Sequence, residues 1–415
     1  MWTEIPYGQS TAWLEIPDRN LIGVVRSPVP SVRCDEAVTI RAALASPIGA
    51  RTLTELARGA SSAAILVSDI TRPRPSYKFL PVLLDCLPGI PPSRIWVIFG
   101  LGTHRPHSRE EQAGLVGEET FKRAQVLDFD LDDVCLLGTT RQGTPIELFR
   151  PYLEADLKIA TGNIEYHYFA GFSGGAKAVM PGIASRRAVE RNHSLLVLPG
   201  AQAGELDGNP LRRDIEEAGE QAGIDFIFNV ILNERKEIVE AVAGHPQAAF
   251  RQGVSRYEAL YRCNTPEIAD IVLASPGGLP KDLNFYQAHK ALENVKGAVR
   301  PGGAILLAAS CPEGIGDRTL QEWLMGMNQP EQLIERFRRC FVLGGHKAAS
   351  LARLRMKARL LLLSQMGEDF VRQIGLEPVE ALQTGMDTLL AAYGRSARVL
   401  VVPFGQVVHP QADLI

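Results

Sequence analysis

The 415-residue sequence has no surplus of either charge: 44 Lys and Arg stand against 47 Asp and Glu, a formal net charge of -3. That balance argues against a nucleic-acid binder, which normally carries a basic stripe, and no block of like charges reads as an interaction tail. Long apolar runs are also lacking. The most apolar stretches, such as Ala63 to Val67 and Val399 to Pro403, are of strand length, far short of the roughly 20 residues of a membrane helix, so no membrane partner is expected. Met1-Trp2-Thr3-Glu4-Ile5-Pro6 lacks the basic segment and apolar core of a secretory signal. The six cysteines (Cys34, Cys86, Cys135, Cys263, Cys311 and Cys340) are scattered, with no CxxC pair. Neither a structural zinc site nor a disulfide framework is expected, and a reducing, cytoplasmic setting fits. There is no repeat of solenoid period.

What is there is ordinary globular composition, 46% hydrophobic and 22% charged, in a chain too long for one hydrophobic core. Short aliphatic runs bounded by turn chemistry read as strands at Ser62 to Ser68, Ile95 to Phe99 and Asp156 to Thr161, with helical patterns such as Pro75 to Cys86 between them. Phe226 to Leu232 and Glu237 to Val242 read as a hairpin added to the same sheet, and Ala249 to Arg262 as a connecting helix. A second unit follows: strands at Ala269 to Ala274, Ala304 to Ala309, Cys340 to Leu343 and Arg398 to Pro403, with helices at Ala288 to Val299, around Leu351 to Leu363 and around Val379 to Tyr393. The expected fold is α/β: two α/β domains with mainly parallel sheets, 1–262 and 263–415, the last residues free to return to the first.

In an open parallel sheet, ligands bind beyond the carboxyl ends of the strands. Three predicted strands end in clusters of polar residues there: Ser68, Asp69, Thr71 and Arg72 after the first, His104 after the second, His167 after the third. Any one of them reads equally well as loop polarity; three at equivalent positions point to a site. Next comes a glycine-rich run from Gly171 to Gly182, with Gly174 and Gly175 at its centre. Such loops let backbone approach a ligand and aim N–H groups at an anion. It is not a P-loop, because Ala176 precedes Lys177 and Ala178 follows it. A partly buried lysine near a helix start has a lowered pKa and a more nucleophilic amine; a solvated lysine after a flexible loop is the plainer alternative. His193 offers an imidazole that nickel, copper, zinc or iron accept as a ligand, or merely a packed ring, and spacing leaves both open. In the second half, Gln287 and Lys290 are three apart on a helical pattern and share a face. They suit a carboxylate, or simply line a solvated face. His346 and Lys347 either meet the tail of a bound ligand or open a helix with no ligand at all.

Taken together, five motifs resemble the lactate racemase family, whose members carry a nickel-pincer nucleotide. They are SDxTRP at Ser68 to Pro73, GTHRP at Gly102 to Pro106, ExHxFAGFSGGxKxxxPG at Glu165 to Gly182, the Asn192-His193 pair, and YQAxK at Tyr286 to Lys290. The resemblance spans most of the chain. It implies a 2-hydroxyacid racemase or epimerase with an active-site cleft between its domains, a small-molecule substrate, and dependence on the proteins that build the cofactor. Lys177 would bind the cofactor covalently through a thioamide, and His193 would be the protein's nickel ligand. His104 and His167 would be the paired acid and base. Arg72 would hold the substrate or its developing charge, and Gln287 and Lys290, with Tyr286 beside them, would close over its carboxylate. Asp69 would orient its neighbours or the nucleotide, and the loop at Gly174 and Gly175 would contact the cofactor. Beyond the resemblance, the Ser68 to Arg72 turn, with Thr71 and nearby backbone amides, is read here as a cradle for the cofactor phosphate.

The chemistry is coherent. A carboxylate beside C2 makes the C2 hydrogen costly to remove as a proton, since a dianion results; removal as hydride avoids that charge. The hydroxyl proton must leave too, and histidine, with an unperturbed pKa of about 6.5, exchanges protons both ways near neutral pH. The substrate tail is open: lactate, malate and an aldonate all share C2. Two other classes compete, a zinc hydrolase using His104, His107, His167 and His193, and a non-catalytic carboxylate-binding protein.

Overall fold

Apart from the run at Cys340 to Leu343, the apolar runs read above as strands are strands in the computed structural model, which describes every residue except 26–34, 73, 74, 234, 266, 327, 328, 340, 341, 343, 407 and 413–415. The chain packs as two units, Val29–Ala259 and Met1–Pro28 with Leu260–Ile415. Residues 1–25, read from the sequence as part of the first domain, thus fold with the C-terminal unit. The reason is their apolar pattern. Trp2–Tyr7 (β1) and Ser10–Glu15 (β2) form an antiparallel hairpin whose Ile5 and Leu14 join the core of the C-terminal sheet, and Leu21–Val24 (β3) follows.

The unit 29–259 is built on six strands: Ala63–Ser68 (β4), Ile95–Gly100 (β5), Gln125–Asp128 (β6), Leu157–Asn163 (β7), Phe226–Leu232 (β8) and Ile238–Gly244 (β9), in spatial order β9-β8-β7-β4-β5-β6. All neighbours are parallel except the expected β8–β9 hairpin at the edge. β4 is apolar and buried throughout apart from its last residue, as a strand covered on both faces must be. From β4 the chain steps outward through β5 to β6, then returns to the other flank as β7. The order therefore reverses between β4 and β7, where a doubly wound sheet opens a crevice at its carboxyl edge. Two helices frame that edge. Arg186–Ser194 (α1) is capped by the Ser185 hydroxyl. Pro210–Gln221 (α2) starts with proline at its first position and the Asn209 side chain as cap.

The second sheet contains Ala269–Ala274 (β10), Val299–Ala308 (β11), Ala358–Leu363 (β12), Glu377–Pro378 (β13) and Val399–Val402 (β14), in the order β13-β12-β11-β10-β14-β3, every pair parallel. Phe285–Val295 (α3) and Gly345–Lys357 (α4) pack on it. Here one expected element changes type. The leucine-rich stretch up to Leu363 was assigned to a helix, but that helix ends at Lys357 and Ala358–Leu363 is strand β12. Leu360, Leu361 and Leu362 are all buried in a strand paired on both sides, so tertiary burial outweighs the helical preference of leucine. The expected strand from Cys340 to Leu343 lies almost wholly outside the described residues. At the turn of the N-terminal hairpin, the Gly8 N–H donates to the Asp282 carboxylate, and the Leu279 N–H donates to the Gly8 carbonyl. The turn is thereby tied down past the carboxyl end of β10.

Candidate active site

The polar residues that follow β4 and β5 meet as expected. The Asp69 carboxylate is 3% exposed and lies 2.6 Å from His104 Nδ1. Its other oxygen accepts from the Thr71 hydroxyl and the Thr71 N–H. Burial raises the Asp69 pKa, but His104, Thr71 and Arg72 more than offset it and hold the carboxyl below its ordinary value. Because a carboxylate takes the Nδ1 proton, Nε2 is the basic nitrogen of neutral His104, a tautomer assigned from the hydrogen-bond network. Asp69 therefore orients a catalytic candidate. The turn does not present the phosphate cradle expected of Ser68 to Arg72. Its Ile70 N–H donates to His107 Nε2, its Thr71 N–H to Asp69, and its Arg72 N–H to the Asp69 carbonyl. His107 is spent likewise: Nδ1 donates to Asp128 at 2.7 Å while Nε2 accepts from Ile70. That removes one ligand from the zinc-hydrolase reading. Among the described residues, no three His, Cys, Asp or Glu side chains group to hold a metal.

Beyond β7, Tyr166 and His167 pair with Phe172 and Gly171 in a tight hairpin. The Ala170 N–H donates to His167 Nδ1 at 3.3 Å, which assigns the proton of the neutral ring to Nε2. The Phe169 ring stands between two histidines, 4.4 Å from His167 and 5.0 Å from His193. His193 lies buried in the last turn of α1. Burial pushes its pKa down to about 3, with the charges of Lys177 and Arg72 adding to the effect. Lys177 is the third residue of a single 3-10 turn, Gly175–Ala178, and is half-buried. Desolvation, then the guanidiniums of Arg72 and Arg212, push its amine well below the usual lysine range against a smaller pull from Glu165. Lys177, His193 and Arg72 thus form one electrostatic cluster.

The glycines of the loop serve close packing here. Gly174 and Gly175 have φ of 84° and 59°. A Cβ on Gly175 would stand 2.9 Å from both Arg212 Nη2 and the Phe250 ring, and the Gly175 N–H is already given to Asn229 Oδ1 at 2.8 Å. Arg212, Asn229, Asn209, Asp214 and Asp128 were not singled out from the sequence. Asp128 ends β6 and was open to the strand-end rule. The others are visible only once α2 and β8 are folded against the loop.

In the C-terminal unit, Tyr286, Gln287 and Lys290 fall on the first turns of α3, as the spacing predicted. Lys347 on α4 is 2% exposed. Its Nζ donates to the Tyr286 carbonyl at 2.5 Å and sits 3.8 Å over the Tyr286 ring. His346 Nδ1 accepts from the Gly344 N–H. Both side chains are therefore engaged within the protein, Lys347 bracing the start of α3.

Comparison with known proteins gives the family. A model of the lactate racemase N-terminal domain matches residues 7–204, and one of the C-terminal domain matches residues 265–409. The chain belongs to the lactate racemase family. It is accordingly an isomerase of the racemase and epimerase kind. It is 32% identical to the lactate racemase of Thermoanaerobacterium thermosaccharolyticum over 415 residues, 97% of each chain. It is also 32% identical to that of Lactiplantibacillus plantarum over 416 residues, covering 97% of this chain and 98% of the relative. The lactate racemase apoprotein structure from T. thermosaccharolyticum superposes with a TM-score of 0.92 at 31% identity, over 99% of this chain and 100% of that one. No helix among the described residues is long and apolar enough to cross a membrane.

Proposed function

We propose that this family member inverts C2 of a 2-hydroxycarboxylic acid, using a nickel-pincer nucleotide carried on Lys177 with His193 as the protein's metal ligand. The observation that carries the reading is the cluster of Lys177, His193 and Arg72. An amine must be neutral to attack, and an imidazole must be neutral to ligate; the surroundings favour the neutral form of both. With a single protein ligand, the remaining metal donors would come from the cofactor itself, consistent with the absence of a three-residue metal cluster among the described residues. When bound, that group supplies an acceptor for the C2 hydrogen as hydride.

The protein's own work is proton transfer and positioning. His104, with its Nδ1 proton on Asp69, is set to take the hydroxyl proton at Nε2. His167, with Nδ1 on the Ala170 N–H, is set to donate from Nε2. The two rings are complementary in one state and exchange roles for the opposite enantiomer, while the substrate passes through a planar 2-ketoacid. Arg72 supplies positive charge where the oxygen becomes negative. Gln287 and Lys290, with Tyr286 beside them in the helix, are assigned to the substrate carboxylate. The proteins that build the cofactor are maturation partners in this reading.

The test is intact mass and nickel content after co-expression with the cofactor-building proteins, alongside Lys177→Ala. A cofactor-sized mass increase with stoichiometric nickel, both lost in the variant, is expected. Unmodified, nickel-free wild-type protein from a strain that loads a known family member would refute it and favour a carboxylate-binding role.

A further inference from the structure

The loop after β5 carries a second histidine–aspartate pair, three residues beyond the first. The two pairs differ in access. His104, on Asp69, has 46% of its side chain exposed, whereas the His107 side chain, on Asp128, is wholly buried. Asp128 grips His107 twice: one carboxylate oxygen accepts from ring Nδ1 and the other from the His107 backbone N–H, both at 2.7 Å. The Phe99 ring at the end of β5 packs on the imidazole, with centroids 4.7 Å apart. These contacts leave one ring orientation and one tautomer, the proton on Nδ1 and the lone pair on Nε2, as assigned from the hydrogen-bond network. That lone pair accepts the Ile70 N–H at 3.1 Å. The peptide so held is the one that joins Asp69 to its own turn, and the carbonyl of the same peptide accepts the Arg72 N–H. A buried imidazole with both nitrogens engaged is not free to exchange a proton with a ligand. Its work is geometric.

We propose that His107, locked by Asp128, is a positioning residue for the His104–Asp69 pair: it fixes the peptide behind Asp69, so that the carboxylate already points at His104 Nδ1 before a substrate arrives. This rests on the reading of that pair as the one that handles the hydroxyl proton. The Asp69 carboxylate is aimed by bonds on both sides of its backbone. Thr71 holds one oxygen through its hydroxyl and its N–H, and His107 holds the 69–70 peptide. The remaining oxygen is the one 2.6 Å from His104. Release of the Ile70 N–H frees the turn to swing, and the carboxylate then has to be brought back to His104 during each turnover, the reorganisation that a preformed site avoids. The run from Gly102 to His107 thus supplies two histidines with separate tasks, one for chemistry and one for aim.

The first readout uses full-length apoprotein carrying nitrogen-15 histidine. Long-range proton–nitrogen spectra show which nitrogen of neutral His104 bears the proton, and His104→Asn assigns the ring. Wild type is expected to show the Nδ1–H form. In His107→Leu, which removes the acceptor of Ile70, the ring should revert to the mixture of a free imidazole, in which the Nε2–H form prevails. Asp128→Asn, which spoils one of the two grips on His107, should do so in part. A folded His107→Leu with the wild-type His104 tautomer overturns the proposal; if that variant does not fold, the same result in Asp128→Asn does so. The second readout is turnover per nickel in cofactor-loaded protein. Loss of the hydrogen bond to Ile70 should lower kcat about 5- to 10-fold in His107→Leu. In an Asp69→Asn background the same change should cost no more than about twofold, because its effect passes through Asp69. A histidine that merely supports the fold would lower the melting temperature and act alike in both backgrounds, so an equal fall in kcat with and without Asp69 also overturns the proposal. Should the loaded wild type interconvert no 2-hydroxyacid, the proposed function fails, and the tautomer comparison in the apoprotein still decides the role of His107.

Discussion

Replacing Asp69 by Asn tests the proton-handling half of the mechanism with the least disturbance of shape. The carboxylate lies 2.6 Å from His104 Nδ1 and also accepts from the Thr71 hydroxyl at 2.8 Å. Asparagine can keep the Thr71 bond, but the group facing His104 then loses its charge, and its amide can donate to Nδ1. Donation there moves the ring proton to Nε2 and leaves no base aimed away from residue 69. A hydrogen bond to a charged group contributes about 1.5–3 kcal/mol. His104 itself is 46% exposed, so the lower end applies, about 1.5–2 kcal/mol. That corresponds to a roughly 10- to 30-fold fall in kcat from lost imidazolium stabilisation alone, and the misplaced proton adds to it. KM should change little, since Asp69 is assigned no contact with substrate. The assay is interconversion of 2-hydroxyacid enantiomers, followed by chiral chromatography on cofactor-loaded protein, with nickel content measured in parallel. Loaded, folded Asp69→Asn protein within twofold of wild-type kcat would refute the assignment of Asp69 and His104 as a working pair.

Acid should weaken the apoprotein partly through His193. Its folded pKa of about 3 lies below the unfolded value, so the unfolded state binds the extra proton first and stability falls as pH drops from about 6.5 toward 3. Between pH 7 and 5 this amounts to about 2 kcal/mol, and urea unfolding of His193→Asn should show a pH-dependent loss smaller by that amount; an equal loss in both proteins would count against a buried neutral imidazole. Lys177 acts in the same direction but already at neutral pH: its depressed folded pKa means folding opposes protonation of the amine. Lys177→Met apoprotein should therefore melt above wild type at pH 7, and a lower melting temperature would contradict the desolvated amine.

Much of the fold was legible because strands β4, β5, β7, β8 and β10 are short aliphatic runs closed by turn residues, and their parallel pairing follows from the helices between them. Two features resisted for physical reasons. The run at Ala358–Leu363 has strong helical preference and is a strand only because β11 and Glu377–Pro378 receive it. The N-terminal hairpin shows an apolar face at Ile5 and Leu14, but that face alone does not say which of two cores it joins. The site divides similarly. Asp69, Arg72, His104 and His167 sit at strand ends, where topology brings them to one edge, and Tyr286, Gln287 and Lys290 keep their helical spacing. Arg212 and Asp214 were invisible, since charged residues on an amphipathic helix ordinarily face water. The glycine-rich run was legible as special, but its reason was different: Asn229, Arg212 and Phe250 press against it from within.

The hairpin at Gly8 also bears on the order in which the chain can mature on the ribosome. Gly8 and its partner Asp282 are separated by 274 positions, and the last strand of the sheet on which the hairpin packs is Val399–Val402. The stretch 29–259, by contrast, contains every strand of its own sheet and can close while the remainder is still being made. The hairpin emerges before residues 29–259 and is therefore among the last parts of the chain to find its place. Through most of synthesis they remain a short two-stranded ribbon with Ile5 and Leu14 uncovered, a form that is at best marginally stable alone. A chain interrupted before its C-terminal third would carry that ribbon permanently exposed, attached to an otherwise finished domain.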